Sequence, residues 1–410
     1  MKTFKINKEK ATDRLRQLSK WSLLIISAFA VGVLCGAIGG CFARCISFAT
    51  ELRSQNSWLI FLLPVGGLTS VGLYKLTKTE GIGTDRALES AQGSTKVPIL
   101  LIPVIFIASV ITHLFGGSAG KEGAALQLGS GAAELVSKGI KADRKMHVTM
   151  TICGMAALFS AVFGTPVGAC VFALEVAVIG RMNALAVFPA FVSSITAYFI
   201  STLIGVHPER FHVEAVPDFS IISLLKTFGV AVIVSLAAYF FCHLLHGSEK
   251  LFERIFKNPF IRIFVGGCAI IILTLIFGTD YNGGGVFVIE RIFEEGFVRP
   301  EAFLLKIIFT VITVSAGYKG GEIVPSFFIG ATLGAALASV FGLPIGFCAA
   351  IGMTGFFGGV TNCPLASAVL AVELFGTNGF ILFAAAAFSS RVFSGKVSLY
   401  HKQKAKELKC

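Results

Sequence analysis

Charged residues are scarce in this sequence, at 14% of 410 positions, against roughly 25% in soluble domains. That deficit excludes an ordinary water-soluble globule, and no hydrophilic stretch is long enough to fold as a separate domain. No CxxC pair occurs among the ten cysteines. Cys35, Cys153, Cys170, Cys268, Cys348 and Cys363 lie inside apolar text and read as small buried hydrophobes, not as redox or zinc ligands. A nucleophile with a companion base is missing too, so no enzyme activity is expected. His243 and His246 stand three apart on an expected helix. With no carboxylate or cysteine partner recognised beside them, they read as interfacial histidines, and neither a metal nor another cofactor is expected. A basic stretch precedes Trp21, but no signal-peptide cleavage site follows it. Residues from Trp21 onward are therefore expected to form a retained first membrane helix.

What the sequence does contain is apolar text broken by glycine. Mean hydropathy is +0.81, with 45 glycines and 39 phenylalanines, a composition suited to close-packed and interrupted membrane helices. Apolar stretches run over 21–48, 57–76, 96–115, 148–179, 183–205, 219–246, 260–278, 302–317, 326–350, 352–375 and 379–393. About 20 apolar residues cross a bilayer once. Several stretches are too long for one crossing or are cut by Gly and Pro, which predicts an all-α integral membrane protein with short, tilted and broken helices. The net charge of +12 sits largely at the two ends, from Lys2 to Lys20 and from Lys396 to Lys409. That distribution fits cytoplasmic termini facing anionic lipid and argues against a nucleic-acid partner.

An internal repeat organises the chain. Segment 154–175, GMAALFSAVFGTPVGACVFALE, aligns without a gap on 352–373, GMTGFFGGVTNCPLASAVLAVE, with eight identities in 22. GKEGAALQLG at 120–129 matches GEIVPSFFIG at 321–330, and GIGT at 81–84 corresponds to the glycine-rich NGGGV at 282–286. Three features in one order at one offset of about 200 residues mark two homologous halves, a transporter signature that places a substrate site where broken helices meet. The expected division is a basic N-terminal segment over 1–20, repeats over 21–205 and 206–393, and a C-terminal segment over 394–410. Glu175 and Glu373 end the repeated helices at equivalent positions, and that symmetry marks them as structural.

The chemistry centres on GGSAGKEGAALQLG, residues 116–129. A glycine-dense run opening a helix in apolar surroundings leaves backbone N–H groups without intrahelical partners, and with the helix dipole these make an anion site. Glu122 places a carboxylate in that nest. Ionised, it competes with an anion; protonated, it can leave. The spacing does not fit a Walker A phosphate loop.

These residues resemble the gating-glutamate motif of the CLC family of anion channels and anion/proton antiporters. AGYKGGEIVP at 316–325 is similar to the family's second filter segment, FGTPVGACVFALE at 163–175 to its subunit-interface helix, and SLY at 398–400 to the segment bearing its central tyrosine. The resemblance runs from about residue 30 to Tyr400. It implies a fold of two inverted repeats and a homodimer with one pathway per subunit. It also implies Glu122 as external gating and proton glutamate, backbone donors at Gly120, Lys121, Gly123, Ile323 and Val324, and the Tyr400 hydroxyl on a central anion. The first filter segment corresponds to Gly81, Ile82, Gly83, Thr84 and Asp85; the resemblance implies Gly81 and Ile82 as anion-binding through their backbone, with Ile82 replacing a serine common in the family. Val176 stands where many antiporters carry an internal proton glutamate, while Glu322 appears beside the central site as a candidate for internal proton transfer. Serine lost, internal glutamate lost and a filter glutamate gained is the pattern of the fluoride-selective branch. Fluoride holds water strongly, so its site must replace that hydration with close donors. The expected function is fluoride/proton antiport across the plasma membrane. A chloride/proton antiporter and a passive anion channel are the alternatives on the same scaffold. The sequence ends ten residues after Tyr400, so the cytoplasmic regulatory domains of larger family members are not expected in it.

Overall fold

A computed structural model describes residues 2–180 and 182–405, with side chains for 19–180 and 182–403. Most of the basic terminal residues, Lys2 to Arg16 and Lys404 to Lys409, lie outside the described side chains. Eight α-helices precede residue 206: α1 (Lys2–Gln55), α2 (Leu63–Leu76), α3 (Thr84–Ala91), α4 (Leu101–Leu114), α5 (Glu122–Gly139), α6 (Arg144–Phe163), α7 (Pro166–Val176) and α8 (Val187–Leu203). Eight follow it: α9 (Ile221–Ile255), α10 (Pro259–Phe277), α11 (Val286–Glu295), α12 (Ala302–Ala316), α13 (Ile323–Phe341), α14 (Ile345–Thr361), α15 (Pro364–Phe375) and α16 (Phe380–Phe393). The one sheet among the described residues is a parallel pair of two-residue strands, β1 (Val178–Ile179) and β2 (Lys404–Ala405), which ties the C-terminal segment to the end of the first half.

Among the described residues, seven helices are long and apolar enough to cross a membrane, and six more apolar helices have only 10–17 residues. The short ones answer to the interrupted hydropathy. α4 stops at Leu114 and α12 at Ala316, and each is followed by a glycine in the left-handed region, Gly116 at φ +87° and Gly317 at φ +103°. A residue with a β-carbon strains there, so glycine is the natural stop. A short loop then leads into α5 and α13, which start at Glu122 and Ile323.

Packing of the repeated helices depends on glycine for a second reason. A β-carbon on Gly129 of α5 would overlap the carbonyl oxygen of Gly154 on α6, and one on Gly330 of α13 would overlap that of Gly352 on α14. With no hydrophobic force between helices in lipid, such close backbone approach supplies the dispersion contact. Phenylalanines fill the space between halves: Phe163 meets Phe327 edge-on at 5.9 Å, and Phe172 lies 5.4 Å from Phe357.

The two halves also hold each other crosswise. Glu175, at the end of α7, accepts from the N–H groups of Leu365 and Ala366 at 3.3 and 2.8 Å, the first turn of α15. Glu373, at the end of α15, accepts from Val167 and Gly168 at 3.0 and 2.6 Å, the first turn of α7. Pro166 and Pro364 open these helices, where a missing N–H costs nothing. Mutual capping end to start requires α7 and α15 to run antiparallel, as an inverted repeat demands.

Hydrogen bonds to an ionised group contribute about 1.5–3 kcal/mol each. Glu175→Ala leaves two helix-start donors bare in an apolar setting and should destabilise the protein by about 2–3 kcal/mol. Glu175→Gln keeps one acceptor oxygen and should lose about half as much. Thermal midpoints of the detergent-solubilised variants measure this, and a midpoint unmoved by Glu175→Ala would remove the carboxylate from the frame of the fold.

Candidate functional site

The starts of α5 and α13 face each other across the repeat axis. Gly120 and Gly321, in the loops before these helices, exchange both of their backbone hydrogen bonds at 2.6 Å as an isolated antiparallel bridge. That exchange corrects the expectation for Gly120, whose N–H is spent on Gly321 and is not offered to an anion. Immediately beyond the bridge, the N–H groups of Gly123, Ala124 and Ile323 find no acceptor among the described residues. These are the orphan donors of two helix starts, brought to one place by the reciprocal bridge.

Glu122 is fully buried at the first position of α5. Its Oε2 accepts from the N–H of Val324, in the first turn of α13, at 3.3 Å, so the carboxylate of one half sits on the helix start of the other. Its Oε1 is buried with no hydrogen-bond partner. Val324 therefore donates to Glu122 in this conformation. Any anion at that donor displaces the carboxylate first.

Glu122 borders a cavity of about 800 Å³ lined also by Arg53, His113, Lys121, Glu209 and Val324. Lys121 forms an ion pair with Glu209 at 2.8 Å, and Arg53 donates to the carbonyl of His113 at 2.7 Å. Nearby, the buried Lys306 donates from Nζ to the carbonyls of Tyr281 and Gly283 at 3.0 and 2.7 Å. Arg53 and Lys121 are the cations of the cavity wall, and Glu51, Glu209, Asp280 and Glu290 line it with them.

On the other side of the bridge lies Glu322, at the N-cap position of α13 and partly buried. The hydroxyl of Tyr400 is buried without a partner. Glu322, Glu122, Asp85 and Tyr400 are close enough to interact electrostatically. The structure thus brings together Glu122, Gly123, Glu322, Ile323, Val324 and Tyr400 from opposite ends of the sequence.

It does not do so for the whole first filter segment. Ile82 packs against the core and its N–H donates to the carbonyl of Thr79 at 3.3 Å, so it offers an anion neither side-chain nor backbone donor. Gly81 is exposed and lines a separate cavity with Tyr74, Arg262 and Lys319. The residue of this segment that does reach the site is Thr84, the first of α3. Its hydroxyl donates to the carbonyl of Gly123 at 3.4 Å and accepts from Gln127 Nε2 at 3.3 Å, while Gln127 Oε1 is buried without a partner. Thr84 and Gln127 were both missed in the sequence, although Thr84 stands two residues after Ile82. Lys306 was missed as well. A lone lysine in the apolar stretch 302–317 satisfies the rule that singled out Glu122, that an intramembrane charge marks a site.

Comparison with known proteins identifies the family and the fold. The family model described as voltage gated chloride channel matches residues 66–395. The chain is 33% identical to a chloride/fluoride channel protein of Pseudomonas syringae pv. tomato, over 98% of this chain and 90% of that protein. Among solved structures it is similar to a CLC-type fluoride/proton antiporter, with a TM-score of 0.90 and 31% identity over 94% of this chain and 98% of that one. A slow cyanobacterial Cl−/H+ antiporter shares the fold at a TM-score of 0.78 and 18% identity, covering 90% and 94% of the two chains. With the matched region spanning both halves and both helix starts, the chain is an integral membrane protein that belongs to the CLC family of voltage-gated chloride channels and anion/proton antiporters.

Proposed function

We propose that this chain exports fluoride across the plasma membrane in exchange for protons, as a homodimer with one pathway per subunit, both termini cytoplasmic and no covalent chemistry of its own. The observation that carries the reading is the Glu122 carboxylate on the Val324 N–H, with its second oxygen buried and unpaired. An ionised Glu122 occupies an anion's place at a helix start. Protonation removes the charge that the helix dipole and the orphan N–H groups hold, and the side chain gives up its position to fluoride. Proton and anion thus compete for one nest, and that competition is what couples their movements.

Glu322 supplies the internal leg of the proton path. It stands at the N-cap position of the opposing helix with its carboxylate free of any cap bond, while Val176 leaves no carboxylate at the end of α7 beyond Glu175, which is committed to α15. Gly123, Ala124 and Ile323 give close backbone donors to replace fluoride's hydration, and Tyr400 adds a hydroxyl without a partner. The solved relative at 31% identity is a CLC-type fluoride/proton antiporter, which supports fluoride as the anion.

Glu122→Gln fixes the neutral state. Proton uptake driven by an anion gradient in liposomes should then disappear while anion flux changes. Proton pumping at the wild-type rate in this variant takes Glu122 out of the mechanism.

Glu322→Gln and Glu322→Ala should impair proton-coupled exchange in protein that remains monodisperse. Normal exchange ratios in both would place the internal proton path elsewhere.

Fluoride should move at least about tenfold faster than chloride under equal gradients, a barrier difference of about 1.4 kcal/mol. Initial fluxes from the same proteoliposomes decide this. Equal rates, or faster chloride, would assign chloride as the substrate and leave the role of Glu122 intact.

A further inference from the structure

The segment that carries Tyr400 is held from several sides. The Leu399 N–H donates to the Val360 carbonyl at 2.8 Å, the Lys402 N–H donates to Asp85 Oδ1 at 3.0 Å, and Gln403 Nε2 donates to the Thr361 carbonyl at 2.7 Å. On its remaining flank runs α9, and there the contact has a different character. His246 and Glu249 are one helical turn apart on α9, facing His401, the residue after Tyr400. One ligating atom from each of the three lies within 4.8 Å of the other two. His401 Nε2 is 3.1 Å from Glu249 Oε2, the imidazoles of His246 and His401 stack at 3.9 Å, and His246 Nε2 is 3.4 Å from the Leu399 carbonyl.

We propose that His246, Glu249 and His401 form a binding site for a zinc-class divalent cation that clamps the Tyr400 segment to α9 and slows transport. The donor set is two imidazole nitrogens and one carboxylate oxygen, the set of many three-ligand zinc sites, with water in the fourth position. Imidazoles disfavour the oxygen-seeking calcium and magnesium. A tetrahedral ion with bonds of about 2.0–2.1 Å needs its ligands closer together than they stand, and a swing of the solvent-exposed His401 ring brings them in. The Leu399 carbonyl on His246 is the kind of backbone contact that orients a metal-binding imidazole.

Neighbouring charges do not already fill the site. Lys402 is turned to Glu89 at 3.8 Å, and Glu253 pairs with Arg262 at 3.2 Å. His243 meets the Tyr239 ring edge-on at 4.3 Å, so the His243–His246 spacing visible in the sequence is not the metal-binding pair. The partners that matter are Glu249, one turn along the same helix and passed over in the sequence, and His401, 155 residues away. A cation here cross-links α9 to the residue next to Tyr400. Any transport step that moves Tyr400 must then break a metal–ligand bond.

The test has two readouts. Titration of the detergent-solubilised full chain with Zn2+ should show one saturable site per chain by calorimetry. His246→Gln and His401→Gln should each weaken binding by at least about tenfold, with unchanged thermal midpoints in the absence of zinc. In proteoliposomes, Zn2+ on the side of this site should slow anion flux in the wild type and not in His401→Gln. Absence of saturable binding, or binding undiminished in both variants, overturns the site. Binding that leaves flux untouched overturns the clamp. The calorimetry does not depend on which anion is carried, so failure of the fluoride reading and failure of this one are separable.

Discussion

A helix that begins inside hydrocarbon exposes N–H groups that lipid cannot satisfy. The centre of this protein is built around two such starts, α5 and α13, aimed at each other. Gly120 and Gly321 dispose of part of the difficulty by bonding to one another, a solution that only a two-fold related pair of loops can use. Gly321 does not tolerate a side chain, because a β-carbon there would fall on the Gly123 nitrogen. What remains unsatisfied beyond the bridge is a small set of donors with nothing but Glu122 to serve them. The anion site is thus the residue of an incomplete accounting of backbone hydrogen bonds, and the carboxylate is the protein's own temporary answer to it.

The same two-fold logic governs the periphery. Glu175 and Glu373 exchange caps as Gly120 and Gly321 exchange carbonyls. Gly129 against Gly154 is echoed by Gly330 against Gly352. The symmetry breaks where function requires a difference. At the position equivalent to Glu122 the second half has Ile323, and at the position equivalent to Lys121 it has Glu322. One start therefore presents a cation and a carboxylate to a wide cavity, and the other carries a glutamate at its N-cap position.

Much of this was legible in the sequence because repeats and glycine carry positional meaning. Gly116 and Gly317 announced the breaks, the 154–175 and 352–373 match announced the two halves, and Glu122 stood out as a charge in apolar text. What could not be read was pairing across distance. Nothing near Lys121 points to Glu209, and nothing near His246 points to His401. The backbone of Ile82 was expected to face an anion because the segment aligned. A turn bond to Thr79 and core packing took it instead, and it is Thr84 that reaches the start of α5, with its hydroxyl on the Gly123 carbonyl. Gly120 was misjudged for a related reason: a motif gives the identity of a residue but not the acceptor its N–H has already found.

The crosswise caps bear on how the protein is made. Val167 and Gly168 receive their acceptor from a glutamate 206 and 205 residues later in the chain. At about 5–20 residues per second, a ribosome needs roughly 10–40 s to deliver it. Throughout that interval the first half is already in the membrane with the start of α7 uncapped and the surface meant for α15 bare. Biogenesis therefore includes a waiting state in which half a transporter must be sheltered, by the insertion machinery or by its own detours, until its mirror image arrives.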